Sequence, residues 1–252
     1  MLPIGDDNSD RIRIPFVNYC FIALNLFVFF YFQQMGSNID FIYSYAAVPA
    51  EILSGRDIVT QPVWVEDVIS GNRMLMPGLG VTDIPVWLTL ITSMFMHGGW
   101  AHLGGNLLYL WVFGDNLEDR LGHLRYFFFY LLCGIIASLT HVFTDVFFGE
   151  SHLIPSLGAS GAISAVMGGY LLLFPGRRVT VFFIFTLITV PAFIVLGAWI
   201  VLQVVNGMGY LGGSEASGIA YAAHIGGFIA GLLLIKLFHP REITKTFRSR
   251  GQ

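Results

Sequence analysis

The chain has 252 residues, of which 55% are hydrophobic and only 12% are charged, and its mean hydropathy is +0.71. This composition lies outside the range of soluble globular domains and indicates a protein of the lipid bilayer. A net charge of −3 offers no basic surface for nucleic acid, which is therefore not expected as a partner. Cys20 and Cys133 lie in apolar runs, where they act as small hydrophobic residues and predict neither a disulfide framework nor a zinc site.

Apolar runs of about 20 residues, the length that crosses a bilayer as a helix, predict the membrane spans. In chain order they cover residues 16–34, 99–117, 124–143, 158–175, 179–204 and 217–238. We therefore predict an all-α polytopic membrane protein, a bundle of six transmembrane helices with a long first outer loop. Acidic residues before the first run argue against a cleaved signal peptide, and no repeat or second domain is expected.

The distribution of Lys and Arg predicts the orientation, because positively charged loops are retained in the cytoplasm. Of the 13 basic residues, only Arg56 and Arg73 fall on one side of the six spans. The others lie on the opposite side: Arg11, Arg13, Arg120, Arg125, Arg177, Arg178, Lys236, Arg241, Lys245, Arg248 and Arg250. We expect a bacterial inner-membrane protein with a cytoplasmic segment (1–15), a transmembrane domain (16–238) and a short basic cytoplasmic tail (239–252).

Polar side chains recur in the outer part of three spans that run in the same direction. They are His102 and Asn106 in the second span, Ser160 in the fourth and His224 in the sixth. Fourteen residues separate Asn106 from Arg120, Ser160 from Phe174 and His224 from Phe238, which places each polar group roughly 20 Å of helix above the inner boundary. Polar groups at such a depth are costly in lipid, so their shared level predicts a functional site.

The fourth span is too short to cross the bilayer, because the sixteen residues from Ser160 to Pro175 make only about 24 Å of helix. Its start must lie below the membrane surface, where non-helical backbone is tolerated only inside protein or beside water. We therefore expect "SLGASG", with Gly158 and Gly161, to line a water-filled pocket. The helix N-terminus there offers free N–H groups that suit an oxyanion.

Small residues on the fourth and sixth spans allow these helices to approach closely. One stripe consists of His224, Gly227 and Gly231, and the other of Ser160, Ser164 and Gly168. Close approach would let His224 accept the proton of Ser160, as a serine nucleophile requires. Because neither span contains an acidic residue, a Ser–His dyad is predicted.

The orientation of His224 must come from another side chain, and Tyr221 and Trp199 are both candidates. His102 and Asn106 share one face of their helix at positions i and i+4. Both can donate hydrogen bonds to a tetrahedral intermediate, together with the backbone N–H of Ser160.

Four stretches of this sequence resemble the rhomboid intramembrane serine proteases. They are "GASG" with Ser160, "AHIGGFIAG" with His224, "HGGWAHLGGN" with His97, His102 and Asn106, and "FGDNLEDRLGHLRYFFFYLLCG". The resemblance implies that Ser160 is the nucleophile, His224 its general base, and His102 and Asn106 the oxyanion-hole donors. It further implies that His97 supports the fold, that no cofactor or metal is needed, and that the substrates are transmembrane proteins cleaved near the outer membrane boundary.

One departure from the family pattern concerns the first loop. Rhomboids often carry a Trp-Arg pair there, whereas this chain has Trp87 followed by Leu88 and Thr89. The departure puts the interfacial anchoring of the loop in doubt and leaves the catalytic residues untouched.

Other classes of enzyme fit the sequence less well. A zinc protease lacks its H-E-x-x-H motif, and an α/β-hydrolase would need glycine at Ala162. The remaining alternative is a non-enzymatic rhomboid-like binder or transporter.

Substrate access requires a cover over the pocket that can move. Candidates are the stretch "VWLTLITSMF", the loop 144–157, and the fifth span, which contains Pro191 and Gly197. If the fifth span is the gate, Phe193 and Trp199 are expected to face inwards.

Overall fold

The structure is a computed structural model that describes residues 2–66, 73–148, 152–211 and 220–239. Parts of the predicted layout lie outside the described residues, namely 67–72 of the first outer loop, 149–151 of the loop 144–157, 212–219 with the start of the sixth span, and 240–252 of the basic tail. In chain order the described elements are β1 (Leu2–Asp6), α1 (Phe16–Phe27, continued by a π-helical segment, Val28–Phe32), α2 (Ile39–Tyr45), α3 (Pro49–Ser54), β2 (Val63–Glu66), β3 (Arg73–Met76), α4 (Thr89–Thr92), α5 (Trp100–Leu121), α6 (His123–Phe148), α7 (Ser160–Leu173), β4 (Arg178–Phe183), β5 (Thr186–Pro191), α8 (Ala192–Leu211) and α9 (Tyr221–Phe238).

A helix occupies each of the six predicted apolar runs, but the helices differ in their capacity to cross a bilayer. Among the described residues three are long and apolar enough to do so, within α6, α8 and α9. Helix α7 and the continuous segment Phe16–Phe32 are shorter apolar helices. Helix α5 ends in the charged run "DNLEDRL". The chain is therefore a helical membrane protein, and the count of six spans remains a prediction.

The prediction was wrong about the start of the fifth span. Residues 178–191 form the antiparallel hairpin β4–β5, and the helix begins only at Ala192. The stretch "RVTVFF…TLITVP" is rich in β-branched and aromatic residues, which favour strands. Strand β1 pairs with β4 to give the sheet order β1-β4-β5, and β2 and β3 form a second hairpin. The expectation of an all-α chain was therefore also wrong.

The β4–β5 hairpin has an unusual turn. Phe183 pairs with Thr186, so Ile184 and Phe185 alone form the loop, with φ of 42° and 66°. Positive φ at both positions is the signature of a type I′ turn, which normally uses Asn-Gly. For a residue with a side chain, this conformation costs roughly 1–2 kcal/mol.

The N-terminal residues are part of the fold and not merely a polar end. Asp6, at the end of β1, accepts hydrogen bonds from the hydroxyl of Tyr170 and from Asn116 Nδ2, the latter at 2.7 Å. Arg177 donates to Asn116 Oδ1 at 2.7 Å and pairs with Asp10 at 2.6 Å. These contacts fasten the N-terminal segment to the ends of α5 and α7 that lie far from Ser160.

The centre of the bundle is α7, whose residues from Gly161 to Tyr170 are all buried. Its contact with α9 is made by backbone atoms. A Cβ added to Gly231 would lie 2.1 Å from the carbonyl oxygen of Ala165, and one added to Gly227 would lie 2.1 Å from that of Gly161. In the other direction, a Cβ on Gly168 would lie 2.3 Å from the carbonyl oxygen of Phe228. The two helices can therefore pack at this distance only with glycine at these three positions.

Replacing Gly231 with alanine should destabilise the bundle, because the new methyl group would force α7 and α9 apart. Overpacking of this kind typically costs about 1–3 kcal/mol, so the Tm of the purified protein should fall by several degrees. Gly197→Ala in α8 is the matched control, since no atom lies within 4 Å of its added Cβ. Equal Tm values for Gly231→Ala and the control would contradict the close packing.

The stability of the N-terminal attachment should depend on pH through Asp6. Burial raises the pKa of Asp6 from 3.8 to about 7, with the neighbouring Asp115 acting in the same direction and Arg177 opposing it. A raised carboxyl pKa means that folding favours the protonated form, so the stability present at low pH declines as pH rises from about 4 and is lost above 7. Asp6→Asn removes this titration.

Thermal unfolding of wild type and Asp6→Asn at pH 5 and pH 8 measures the effect. Between pH 5 and pH 8, the Tm of the wild type should fall relative to that of Asp6→Asn. A constant difference in Tm would show that Asp6 keeps an ordinary pKa.

Candidate active site

Ser160 and His224 lie together although they are 64 residues apart in the chain. Ser160 is the first residue of α7, and His224 lies in the first turn of α9. The distance between His224 Nε2 and Ser160 Oγ is 2.7 Å. The glycine contact described above fixes this distance, because it sets the separation of the two helix starts.

The other ring nitrogen of His224 faces α8. Its Nδ1 lies 2.7 Å from Oε1 of Gln203. An amide oxygen can only accept, so Nδ1 carries the proton and Nε2 presents its lone pair to the hydroxyl of Ser160. Gln203 thus selects the tautomer in which His224 can act as a base.

Sequence reasoning missed Gln203 and named Trp199 and Tyr221 for this role. Trp199 does contact the imidazole, with ring centroids 5.7 Å apart, but Gln203, one helical turn further along α8, accepts the hydrogen bond from His224 Nδ1. Gln203 shares the feature that marked Ser160 and His224, since it is a polar side chain in an apolar membrane helix.

His102 lies close to Ser160, with Gly158 between them. The backbone N–H of Gly98 donates to His102 Nδ1 at 3.3 Å, which leaves the proton of the ring on Nε2. A Cβ added to Gly158 would lie 2.8 Å from His102 Nε2 and 3.6 Å from Ser160 Oγ. Gly158 also has a φ of +130°. Glycine is therefore required here both by the backbone and by the space that separates His102 from Ser160.

Asn106 follows His102 by one helical turn and is only 7% exposed. Its Nδ2 is buried without a hydrogen-bond partner in the described part of the chain. Leaving a buried donor unpaired costs about 1–3 kcal/mol. The side-chain N–H of Asn106 is therefore available to donate a hydrogen bond to a further acceptor.

His97 is completely buried, and its ring meets that of His102 edge to face at a centroid distance of 5.2 Å. Gln33 holds its backbone from both sides: Nε2 donates to the carbonyl of His97, and Oε1 accepts from its N–H, each at 2.9 Å. His97 thus supports His102 by packing. Gln33, which follows the apolar helix Phe16–Phe32, was not singled out by the sequence.

The backbone before Ser160 is non-helical, and the connection between α1 and α5 holds it in place. Ser156 exchanges two hydrogen bonds with Ala47, at 2.8 and 3.0 Å, and Gly158 N–H donates to Ser93 at 2.9 Å. Ser93 belongs to the stretch "VWLTLITSMF", in which Leu90 and Met94 are also buried. This stretch therefore lies against the entrance to the site.

Two expectations about the cover over the site were wrong. Helix α6 continues to Phe148, so the loop expected from residue 144 begins later. Phe193, expected to face inwards, is 54% exposed. It lies in the first turn of α8, a helix whose rotation the polar side chain of Gln203 could have indicated.

Comparisons with known proteins all point to one family. The family model described as "Rhomboid domain" matches residues 85–241. Rhomboid protein 1, mitochondrial, from Saccharomyces cerevisiae is 34% identical over 58% of this chain and 40% of its own length. Rhomboid protease GluP from Bacillus subtilis is 28% identical over 86% of this chain and 34% of its own length. The chain therefore matches well under half the length of these curated relatives.

The hydrogen bond from His224 to Gln203 should control how fast Ser160 reacts. Gln203→Leu removes the acceptor and keeps the volume, so the imidazole loses its preferred tautomer and orientation. General bases contribute about 10²–10⁴-fold, and we expect the rate at which a fluorophosphonate labels Ser160 to fall by about tenfold or more.

Asn206→Leu is the matched control, since Asn206 is an exposed amide on the same helix. Gln203→Glu, which keeps an acceptor, should recover part of the rate. If Gln203→Leu is labelled as fast as Asn206→Leu, Gln203 does not position His224.

Proposed function

The chain belongs to the rhomboid family, and from that premise we propose that it is an intramembrane serine endopeptidase with a Ser160–His224 dyad. The observation that carries the proposal is the 2.7 Å contact between Ser160 Oγ and His224 Nε2 at the start of two apolar helices. The relative from Bacillus subtilis that is named a rhomboid protease supports the same activity.

The first chemical step forms the bond between Ser160 Oγ and the carbonyl carbon of the substrate peptide. His224 Nε2 accepts the hydroxyl proton as this bond forms, and the imidazolium keeps its hydrogen bond to Gln203 Oε1. Gln203 is neutral, so it orients the ring without adding a charge. Trp199 limits rotation of the imidazole by packing against it.

The negative charge that develops on the carbonyl oxygen needs donors that are already in place. His102 Nε2–H and Asn106 Nδ2 are the proposed pair, joined by the free N–H groups in the first turn of α7. The unpaired state of Asn106 Nδ2 supports this role, because such a donor has no internal bond to break when the oxyanion forms.

Collapse of the tetrahedral intermediate breaks the C–N bond, and His224 returns its proton to the leaving amine. The product is an acyl group on Ser160. Water then attacks this ester, His224 takes one of its protons, and the second collapse returns that proton to Ser160. Every step uses only these side chains and water.

The proposed substrates are transmembrane proteins cleaved near the outer membrane boundary. Ser160 lies roughly 20 Å of helix from the inner end of its span, and the basic residues assign that end to the cytoplasm. Both chain ends would be cytoplasmic, in a bacterial inner membrane. A substrate helix must unwind near the site, since a peptide bond inside a helix is closed to a nucleophile.

Helix α8 is our candidate for the gate that admits the substrate. Much of its apolar surface is exposed, including Val201 and Leu202, whereas Trp199 and Gln203 face His224. A displacement of α8 would therefore open the site and loosen the hold on His224 together. This arrangement would couple entry to catalysis.

Ser160→Ala and His224→Ala should each abolish cleavage of a reconstituted membrane substrate while the protein still folds. Because nucleophile and base act as a unit, the double variant should be no worse than either single variant. Cleavage by purified variants in proteoliposomes, followed by gel and mass spectrometry, measures this. Substantial activity in either variant, with the fold intact, would point to the alternative of a non-enzymatic binder or transporter.

Loss of an oxyanion donor should lower kcat and leave KM nearly unchanged. Removing one such donor typically costs about 10²–10³ in kcat, and we expect this range for Asn106→Leu, which keeps the side-chain volume. Ser164→Ala is the control, because its hydroxyl bonds only the carbonyl of Ser160 within the same helix, at 2.6 Å. A rise in KM at unchanged kcat would instead assign Asn106 to substrate binding.

A further inference from the structure

The β4–β5 hairpin consists of a docked base and an apolar tip. At the base, Val179 and Val181 are completely buried. At the tip, which we define as residues 182–187, Phe185 is 92% exposed, Ile184 72% and Leu187 59%. The tip is thus an apolar projection beyond the buried base of the hairpin.

The two residues of the turn are poorly suited to a position exposed to water. Ile184 and Phe185 both have positive φ in a two-residue loop, where Asn-Gly is the favoured pair. A β-branched residue and a large aromatic residue are among the least suited to that backbone. Since neither side chain is buried in the protein, the strain has no compensation within the described structure. A compensating environment outside the protein would have to be apolar.

The position of the hairpin identifies that environment. Strand β5 ends at Pro191 and α8 begins at Ala192, so the hairpin leads directly into a helix long and apolar enough to span a bilayer. Phe193, in the first turn of α8, is 54% exposed and continues the apolar surface of the tip. The hairpin is therefore continuous along the chain with an apolar helix that can span the bilayer.

Basic residues stand at the base of the hairpin. Arg178 is exposed at the start of β4, whereas Arg177, which precedes it, is paired with Asp10. Lipid phosphates attract such residues at the membrane surface, while apolar and aromatic side chains enter the boundary between headgroups and acyl chains. An exposed arginine at the base of the hairpin, together with an apolar tip, fits a lipid surface better than the surface of another protein.

We propose that residues 182–187 form an interfacial lipid anchor that inserts Ile184 and Phe185 into the leaflet at which α8 begins. The anchor fixes the first turn of α8, the helix that carries Gln203 and Trp199. The proposal does not depend on catalysis, and its test uses no activity measurement.

Spin labels can locate the tip in liposomes. The label is attached at Phe185→Cys in a Cys20→Ala background, because Cys20 is exposed and Cys133 is buried. Ser9→Cys serves as the water reference and Leu233→Cys, at a side chain 69% exposed on α9, as the lipid reference. We expect the label at 185 to collide with oxygen as the lipid reference does and to be shielded at least fivefold from a water-soluble nickel chelate relative to Ser9→Cys.

A second variant separates lipid contact from folding of the hairpin. Ile184→Asn with Phe185→Gly supplies the favoured type I′ pair and keeps the hairpin, so a label at Thr186→Cys should move from lipid to water on this change. Nickel access at Phe185→Cys equal to that at Ser9→Cys would overturn the proposal. Low access to both oxygen and nickel would overturn it as well, because it would indicate that another protein covers the tip.

Discussion

The contact between the backbones of α7 and α9 is the constraint on which the rest of the site depends. Gly227 and Gly231 bring α9 against carbonyl oxygens of α7, and Gly168 does the same in reverse. At this separation the starts of the two helices lie within one hydrogen bond of each other, and Ser160 meets His224 there. The contact between Ser160 and His224 therefore follows from the packing of the backbone more than from the polar residues themselves.

The side chains of the site are oriented by elements that are less buried than α7. Helix α8 supplies Gln203 and Trp199 to His224, while the connection before α5 supplies His97, and the first turn of α5 supplies His102, near Ser160. Helix α8 exposes more of its surface than α7 does. This difference is the basis for proposing α8, and not α7 or α9, as the gate.

The residues at the centre of the site could be predicted because their signals are local. Glycine spacing, polar residues at one depth and the motifs around Ser160 and His224 can all be read along a single helix. Gln203 and Gln33 escaped notice because each matters through a partner on another helix, and their spacing along the chain does not reveal it. The burial of Asp6 beneath Tyr170 has the same cause.

The hairpin β4–β5 shows a second limit of sequence reasoning. An apolar run of residues 179–204 satisfies the length of a membrane span, and composition alone cannot separate a buried strand from a helix. Its β-branched residues and the following Pro191 were signals for a break before the helix. The inward orientation predicted for Phe193 was wrong because position in an apolar run does not set the rotation of a helix, and Gln203, which could have indicated it, was overlooked.

The most direct test is to map and time phosphonate labelling in Gly227→Ala, whose added Cβ would lie 2.1 Å from the carbonyl oxygen of Gly161. Wild type and the open-site control Gly197→Ala should both be labelled rapidly, with the adduct on Ser160 by peptide mass spectrometry. Gly227→Ala should be labelled at least about tenfold more slowly at a temperature at which its helical content is native. Labelling of folded Gly227→Ala at the wild-type rate, or an adduct on another serine, would contradict the account.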